Sequence, residues 1–147
     1  NSIKKEKNIG QNVQNHYNMN NIITTIESFK RKMFTDSVSS ELIVNAENEL
    51  GISIAPEYKE VLKKYGSLCV KGEEFLGIDC DNYDVVKATN EARKNDKNFP
   101  LDMYVIENTA IDGILIVQNS TSELFSYQPS GKLQHVASCL DEYLQSL

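Results

Sequence analysis

The most informative stretch of the sequence is AENELGISIAPEYKEVLKKYGS, residues 46–67. Its first apolar run ends at Leu50 and is followed by Gly51, which is typical of a helix that stops in the left-handed conformation. Pro56 fits the first turn of a second helix and biases the residue before it toward an extended backbone. Gly66 then ends this second helix. The stretch predicts two helices joined by a short extended link, and it contains no catalytic motif.

The residues before this stretch predict two helix starts. Apolar residues recur at spacings of three and four over residues 21–34, which predicts an amphipathic helix with Met33 and Phe34 on its buried face. Ser39 and Ser40 are candidate N-caps for the next helix, which continues into the quoted stretch.

After the quoted stretch the apolar spacing falls towards two, which indicates short strands. The predicted features are a turn near Gly72, a helix in YDVVKATNEARKN, a buried strand from Met103 to Ile106, hairpin turns at residues 119–122 and 129–131, and an amphipathic helix from Ala137 to Leu147. Helices and strands come in runs and do not alternate strictly. This order predicts an α+β fold with a mostly antiparallel sheet.

Composition predicts one globular domain. The chain has 147 residues, of which 40% are hydrophobic, enough for a core that needs no metal or disulfide. Residues 1–21 are rich in Asn and predict a flexible arm, which leaves residues 22–147 as the folded domain. Cys69, Cys80 and Cys139 are an odd number without a CxxC pair, so neither a disulfide framework nor a zinc site is expected. No run is apolar enough to span a membrane and the start is not of secretory type, which predicts a cytoplasmic protein.

The charge is unevenly distributed. The arm has a charge of +2, because it contains Lys4, Lys5 and Lys7 against Glu6 alone. The whole chain has a net charge of −6, so residues 22–147 have a net charge of −8. An acidic body repels phosphate backbones, which argues against direct binding of DNA or RNA. It favours a basic protein partner, because opposite fields speed encounter and fix orientation. The alternative is that the acidic charge serves only solubility.

One set of residues invites an enzymatic interpretation. Cys139 follows His135 by four residues and Asp141 lies next to it, as a nucleophile, a base and an orienting acid would. The other histidine, His16, falls in the predicted arm. The preferred interpretation is that Cys139 is a small buried side chain at the start of a helix.

The acidic loop GIDCDNYD raises the possibility of a cation site. Asp79, Asp81 and Asp84 supply alternating carboxylates, which suit a hard ion, but the loop lacks the glycine and the bidentate glutamate of an EF-hand. A solvated loop with Asp84 as the N-cap of the next helix is the preferred interpretation. No Gly-rich phosphate loop is present, so we expect no cofactor, no metal and no enzymatic activity.

Four segments, in order, resemble the SUKH superfamily, known also for its fungal Smi/Knr-type cell-wall assembly regulators. The segments are the quoted stretch, VVKATNEARKN, FPLDMYVIENTAIDGILIVQN and VASCLDEYL. The link between the first two helices departs from the family pattern by one residue, Ala55. The matching motif positions are Glu47, Leu50, Gly51, Ile54, Pro56, Tyr58, Leu62, Tyr65, Gly66, Val86, Thr89 and Arg93.

The resemblance implies an α+β domain with a sheet flanked by helices. It also implies a function, because bacterial members are mostly immunity proteins that bind polymorphic toxin domains, frequently nucleases. We therefore expect an acidic inhibitor, a monomer or weak homodimer, that occludes the active face of a basic toxin. The alternative is a regulatory module that acts on signalling or cell-wall machinery.

The motif residues are expected to be mainly structural, with Arg93 paired to an acidic neighbour. Toxin contacts are expected from exposed acids and aromatics outside the core. These candidates are Glu73, Glu74, Asp79, Asp81, Tyr83, Asp84, Asp112 and Tyr127.

Overall fold

A computed structural model of the protein describes residues 21–81 and 83–147. The arm predicted over residues 1–21 lies outside the described residues except for residue 21, and so does His16. The first described helix, α1, covers residues 21–28. The other elements are β1 (Lys32–Phe34), α2 (Ser40–Leu50), α3 (Pro56–Tyr65), β2 (Leu68–Val70), β3 (Glu73–Phe75), α4 (Val85–Asn95), β4 (Met103–Asn108), β5 (Leu115–Asn119), β6 (Leu124–Tyr127), β7 (Leu133–Ala137) and α5 (Leu140–Gln145).

The strands of the described residues form two antiparallel sheets. One has the order β1-β2-β3 and the other is a meander of β4-β5-β6-β7. The Leu76 N–H, just after β3, donates to the Ile106 carbonyl of β4 at 2.8 Å and joins the two sheets. The predicted α+β class with antiparallel sheets and helices is confirmed.

The local stop and start residues act as predicted. The Ser39 hydroxyl accepts a hydrogen bond from the Leu42 N–H at 3.2 Å and caps α2. Gly51 ends α2 in the left-handed conformation, with φ of 70°. Pro56 occupies the first turn of α3. Gly66 follows α3 with φ of 73°, and a Cβ there would lie 2.2 Å from the Asp36 carbonyl oxygen, so only glycine fits.

The predicted helix over residues 21–34 is wrong in its second half. The Phe29 N–H donates to the Ile26 carbonyl at 3.1 Å, and the Lys32 ammonium donates to the Phe29 carbonyl at 3.0 Å, so the chain turns after α1. Met33 and Phe34 then pair with β2 as part of the edge strand β1. Pairing with a distant strand overrides the helical spacing of these apolar side chains.

Two buried tyrosines tie α3 and the link before it to the sheets. The Tyr58 hydroxyl donates to the Leu76 carbonyl at 2.5 Å. The Tyr104 hydroxyl donates to the Gln118 side-chain oxygen at 2.6 Å and accepts from the Ala55 N–H at 2.9 Å. Each hydroxyl therefore keeps a partner in the core, as burial of a polar group requires.

The first N–H groups of the short helix α5 donate hydrogen bonds to a carboxylate of α3. The buried Glu57 carboxylate accepts from the Leu140 N–H at 2.8 Å and from the Asp141 N–H at 3.0 Å. The Asp141 carboxylate in turn accepts from the Thr25 hydroxyl of α1. Elements from both ends of the described chain thus meet at one buried point. No helix in the described part of the chain is both long and apolar enough to cross a bilayer.

Candidate functional site

An open groove of about 220 Å³ runs along the three-stranded sheet. We call it the β1–β3 groove. Phe75, only 1% exposed, lies at its floor. Its lining residues are Met33, Phe34, Thr35, Ser67, Leu68, Cys69, Glu74, Phe75 and Tyr83.

Large apolar side chains stand exposed at this groove. Met33, Phe34 and Tyr83 are 71%, 54% and 47% exposed. The Phe34 ring meets the buried Tyr65 ring edge-on with centroids 5.3 Å apart, which holds it in place. Clustered exposed apolar side chains of this kind mark interaction surfaces.

The loop between β3 and α4 is tied to the groove. The Asp84 carboxylate accepts from the Asp79 N–H at 2.5 Å and from the Lys87 N–H at 3.0 Å. The Cys80 sulfur lies 3.8 Å from the Thr35 hydroxyl, which lines the groove. Asp84 thus caps α4, as predicted, and the same carboxylate holds the start of the loop at Asp79.

Exposed acids lie on the edge strand β3 and on this loop, and we call Glu74, Asp79 and Asp81 together the acidic rim. Glu74 lines the groove and is exposed. Asp79 and Asp81 flank Cys80 and are also exposed. Tyr83, which ends the loop, accepts a backbone hydrogen bond from Gly77 at 2.8 Å. The groove itself presents an apolar strip beside the Glu74 carboxylate, as the core and rim of a protein interface do.

Behind the groove floor, two glutamates meet a tyrosine. The Tyr143 hydroxyl oxygen of α5 lies 3.4 Å from the Glu73 carboxylate of β3 and 3.2 Å from the Glu107 carboxylate of β4. Burial, together with the hydrogen bond and charge of Glu73, raises the pKa of Glu107 to about 8, although the Tyr143 hydroxyl acts to lower it. We call Glu73 and Glu107 the acid pair. Glu73, a predicted toxin contact, is half-buried here.

The structure thus places Glu74 and Tyr83 in the lining of the groove. Asp79 and Asp81 lie exposed on the loop that leads to Tyr83, outside that lining, and Asp79 lines a separate cavity of about 310 Å³ between α2 and α4. Asp84, expected as an exposed contact, is buried because both carboxylate oxygens bond to backbone N–H groups.

Two further predicted contacts lie elsewhere. Tyr127, expected to be exposed, is buried against Phe99, and its hydroxyl donates to Asp96. Asp112 is exposed on the β4–β5 loop, next to Gly113. Gly113 and Tyr127 line a different cavity, of about 300 Å³, beside α4.

The motif residues lie in and around the core. Tyr58, Leu62 and Tyr65 are buried beside Leu50, on the inner faces of α2 and α3. The buried Thr89 hydroxyl accepts from the Val105 N–H at 2.9 Å and fixes α4 to β4.

Arg93 does not have the acidic partner that was expected for it. Its guanidinium donates to the Leu101 carbonyl at 3.2 Å, and no ion pair of Arg93 occurs among the described residues. The Arg93 side chain joins α4 to the backbone of the turn before β4. This contact does not need a carboxylate.

The sequence prediction missed Met33 and Phe34 as surface residues, because it placed them on a buried helix face. The basic run at residues 30–32, which interrupts the apolar pattern just before MFT, is the feature that could have indicated the end of the helix.

The thiol interpretation of Cys139 finds no support in the geometry. Burial raises the pKa of the Cys139 thiol, which keeps it protonated at neutral pH. His135 lies 3.6 Å from the Glu123 carboxylate and against the Phe125 ring, and no hydrogen bond joins it to Cys139 in the described chain. Among residues 21–81 and 83–147, no three His, Cys, Asp or Glu side chains are arranged to hold a metal ion.

The chain matches a known protein family. The SUKH_5 family model, described as SMI1-KNR4 cell-wall, matches residues 19–147. The match spans every described helix and strand, including those that build the β1–β3 groove. No match was found among curated proteins.

Proposed function

The chain belongs to the SUKH_5 family, described as SMI1-KNR4 cell-wall, and we propose that it is an immunity protein. It binds a cognate toxin domain, one molecule to one, and covers the toxin's active face. It acts in the cytoplasm as a stoichiometric inhibitor and catalyses no reaction itself.

The observation that carries this proposal is the β1–β3 groove. Met33, Phe34 and Tyr83 are exposed there without being needed to fill the core. Binding energy in protein complexes concentrates in a few aromatic and apolar anchors that lose water on contact. Exposed aromatics beside carboxylates supply both the anchors and the orienting charge.

The charge of the groove rim indicates the chemistry of the partner. Glu74, Asp79 and Asp81 stand on a protein whose net charge is −6. A toxin that cleaves nucleic acid carries lysines and arginines for phosphate, and these side chains complement an acidic rim. A nuclease domain is therefore the partner we propose. The rim would speed association and fix orientation more than it would add affinity.

The first test is affinity capture from the source cell with the protein as bait, at moderate salt, followed by mass spectrometry. The captured toxin domain is then purified and its activity titrated with this protein. Inhibition that is complete at one equivalent supports the proposal. Capture of signalling or envelope enzymes, with no toxin among them, would instead favour the regulatory module.

Variants with matched controls locate the interface. Phe34→Ala and Glu74→Lys alter the groove, whereas Leu101→Ala and Asp102→Lys make a comparable truncation and charge reversal on the exposed turn before β4. We expect the groove variants to weaken toxin binding about tenfold or more, which is the effect of losing an interface anchor or reversing its charge. Equal effects of groove and control variants would remove this face from the interface.

A further inference from the structure

The acid pair of Glu73 and Glu107 has too few hydrogens for its oxygens. The Tyr143 hydroxyl lies within 3.4 Å of both carboxylates, but it carries a single hydrogen and can donate to only one of them. If both carboxylates were ionised, the one that receives no hydrogen bond from Tyr143 would lie beside a like charge without a donor of its own from Tyr143. Glu107 is only 1% exposed, so water cannot readily compensate.

No cationic side chain of the described chain neutralises the pair. The ion pairs of the described residues join Lys32 to Glu27, Lys59 to Glu47 and His135 to Glu123, and none involves the acid pair.

The groups that face Glu107 are all acidic or neutral. They are Glu73 from β3, Tyr143 from α5 and Tyr58 from α3. The Tyr58 hydroxyl already donates to the Leu76 carbonyl, so it has no hydrogen to offer. Cys69 and Glu74, on the groove side of Glu73, add no positive charge. A bound proton is therefore what would neutralise one of the two carboxylates.

We propose that Glu73 and Glu107 hold one shared proton at neutral pH, and that this proton latches β3 to β4 beside the Tyr143 hydroxyl of α5, behind the β1–β3 groove. With the proton in place, one carboxyl donates to the other and the Tyr143 hydroxyl donates to the remaining oxygen. When the proton leaves, the two carboxylates repel each other, and β3 is pushed away from β4 beside the Tyr143 hydroxyl.

The latch connects to the groove through one aromatic contact. The Tyr143 ring meets the Phe75 ring edge-on, with centroids 6.2 Å apart and planes at 90°. Phe75 lies at the floor of the groove. The proton thus regulates the surface that the proposed function assigns to the toxin. The inference rests on that proposal only for its consequence, since the proton can be measured on the protein alone.

The test is a carboxyl NMR titration of the protein labelled with ¹³C at glutamate, carried well above pH 8. We expect one glutamate to titrate near pH 8, and its resonance to be missing from Glu107→Gln. Glu73→Gln should lower the midpoint by roughly one unit, because it removes a neighbouring negative charge. Tyr143→Phe should raise the midpoint, because it removes a donor that favours the ionised form.

Two outcomes would overturn the inference. The shared proton is disproved if every glutamate titrates in the ordinary acidic range, or if Glu73→Gln leaves the midpoint unchanged. The latch is disproved if the Phe75 ring resonances do not follow the same titration in the parent protein. Failure of toxin inhibition would refute the proposed function without touching either result.

Discussion

Glu57→Ala should destabilise the protein through a helix that it does not belong to. The carboxylate accepts two backbone hydrogen bonds at the start of α5, at 2.8 Å and 3.0 Å, and no side chain of α5 caps that end. Hydrogen bonds to a charged group contribute about 2 kcal/mol each, and their removal leaves two buried N–H groups without partners.

Desolvation offsets part of this gain. Burial raises the pKa of Glu57, which means that holding the charged form in the core costs free energy. We therefore expect a net loss of about 2.5 kcal/mol from Glu57→Ala, against a total stability of about 5–15 kcal/mol.

Urea unfolding followed by circular dichroism measures the loss. With an ordinary slope for a domain of this size, the midpoint should fall by about 1 M. Glu60→Ala is the control, because Glu60 lies on the same helix, half-buried, without a hydrogen bond to α5. Glu57→Gln keeps one acceptor oxygen and should fall between the two. A Glu57→Ala midpoint equal to that of Glu60→Ala would show that α5 does not depend on this carboxylate.

Three other outcomes are expected. The pKa of Glu107 is raised from 4.5 to about 8, so between these pH values the folded state holds a proton that the unfolded state has lost. The bound proton therefore contributes fully to stability below pH 4.5, and this contribution disappears as the pH rises through about 8. Glu107→Gln should flatten this fall by about 2 kcal/mol, after allowance for solvent screening at Glu73, as seen in unfolding midpoints across that pH range. Gly66→Ala should cost about 3 kcal/mol of unfolding free energy because its Cβ would clash with the Asp36 carbonyl, whereas Gly72→Ala, also at positive φ but with open space around it, should cost about 1 kcal/mol; equal thermal shifts would contradict this. Toxin association measured by stopped flow should slow about tenfold between about 0.05 M and about 0.5 M salt, and a rate independent of salt would exclude the acidic rim from steering.

Short-range features of the fold could be predicted from the sequence because their causes are local. Ser39 caps a helix, Gly51 stops one and Pro56 starts one through contacts within a few residues. The same holds for Asp84, whose carboxylate bonds to the N–H of Lys87 three residues later. Such contacts leave a pattern that can be recognised before the structure is known.

The features that failed depend on partners far away in the chain. Met33 pairs with Cys69 on the neighbouring strand, and this pairing outweighs the helical spacing of the apolar residues in the sequence. Tyr127 is buried because Asp96 and Phe99 reach it from the end of α4 and the loop beyond.

The acid pair shows the same limit most clearly. Tyr143 lies 70 residues from Glu73 and 36 from Glu107 in sequence, and no periodicity relates the three. Only the packing of α5 against β3 and β4 reveals that they share one site.

The position of the groove residues also bears on how such a protein could change its partner over evolutionary time. Met33 and Tyr83 are exposed, and the groove floor beneath them is formed by Phe75, which is buried. Substitutions at exposed positions outside the core usually change stability by less than about 0.5 kcal/mol. Under the proposed function, substitutions on this face can therefore change the partner that is bound at little cost to the stability of the fold.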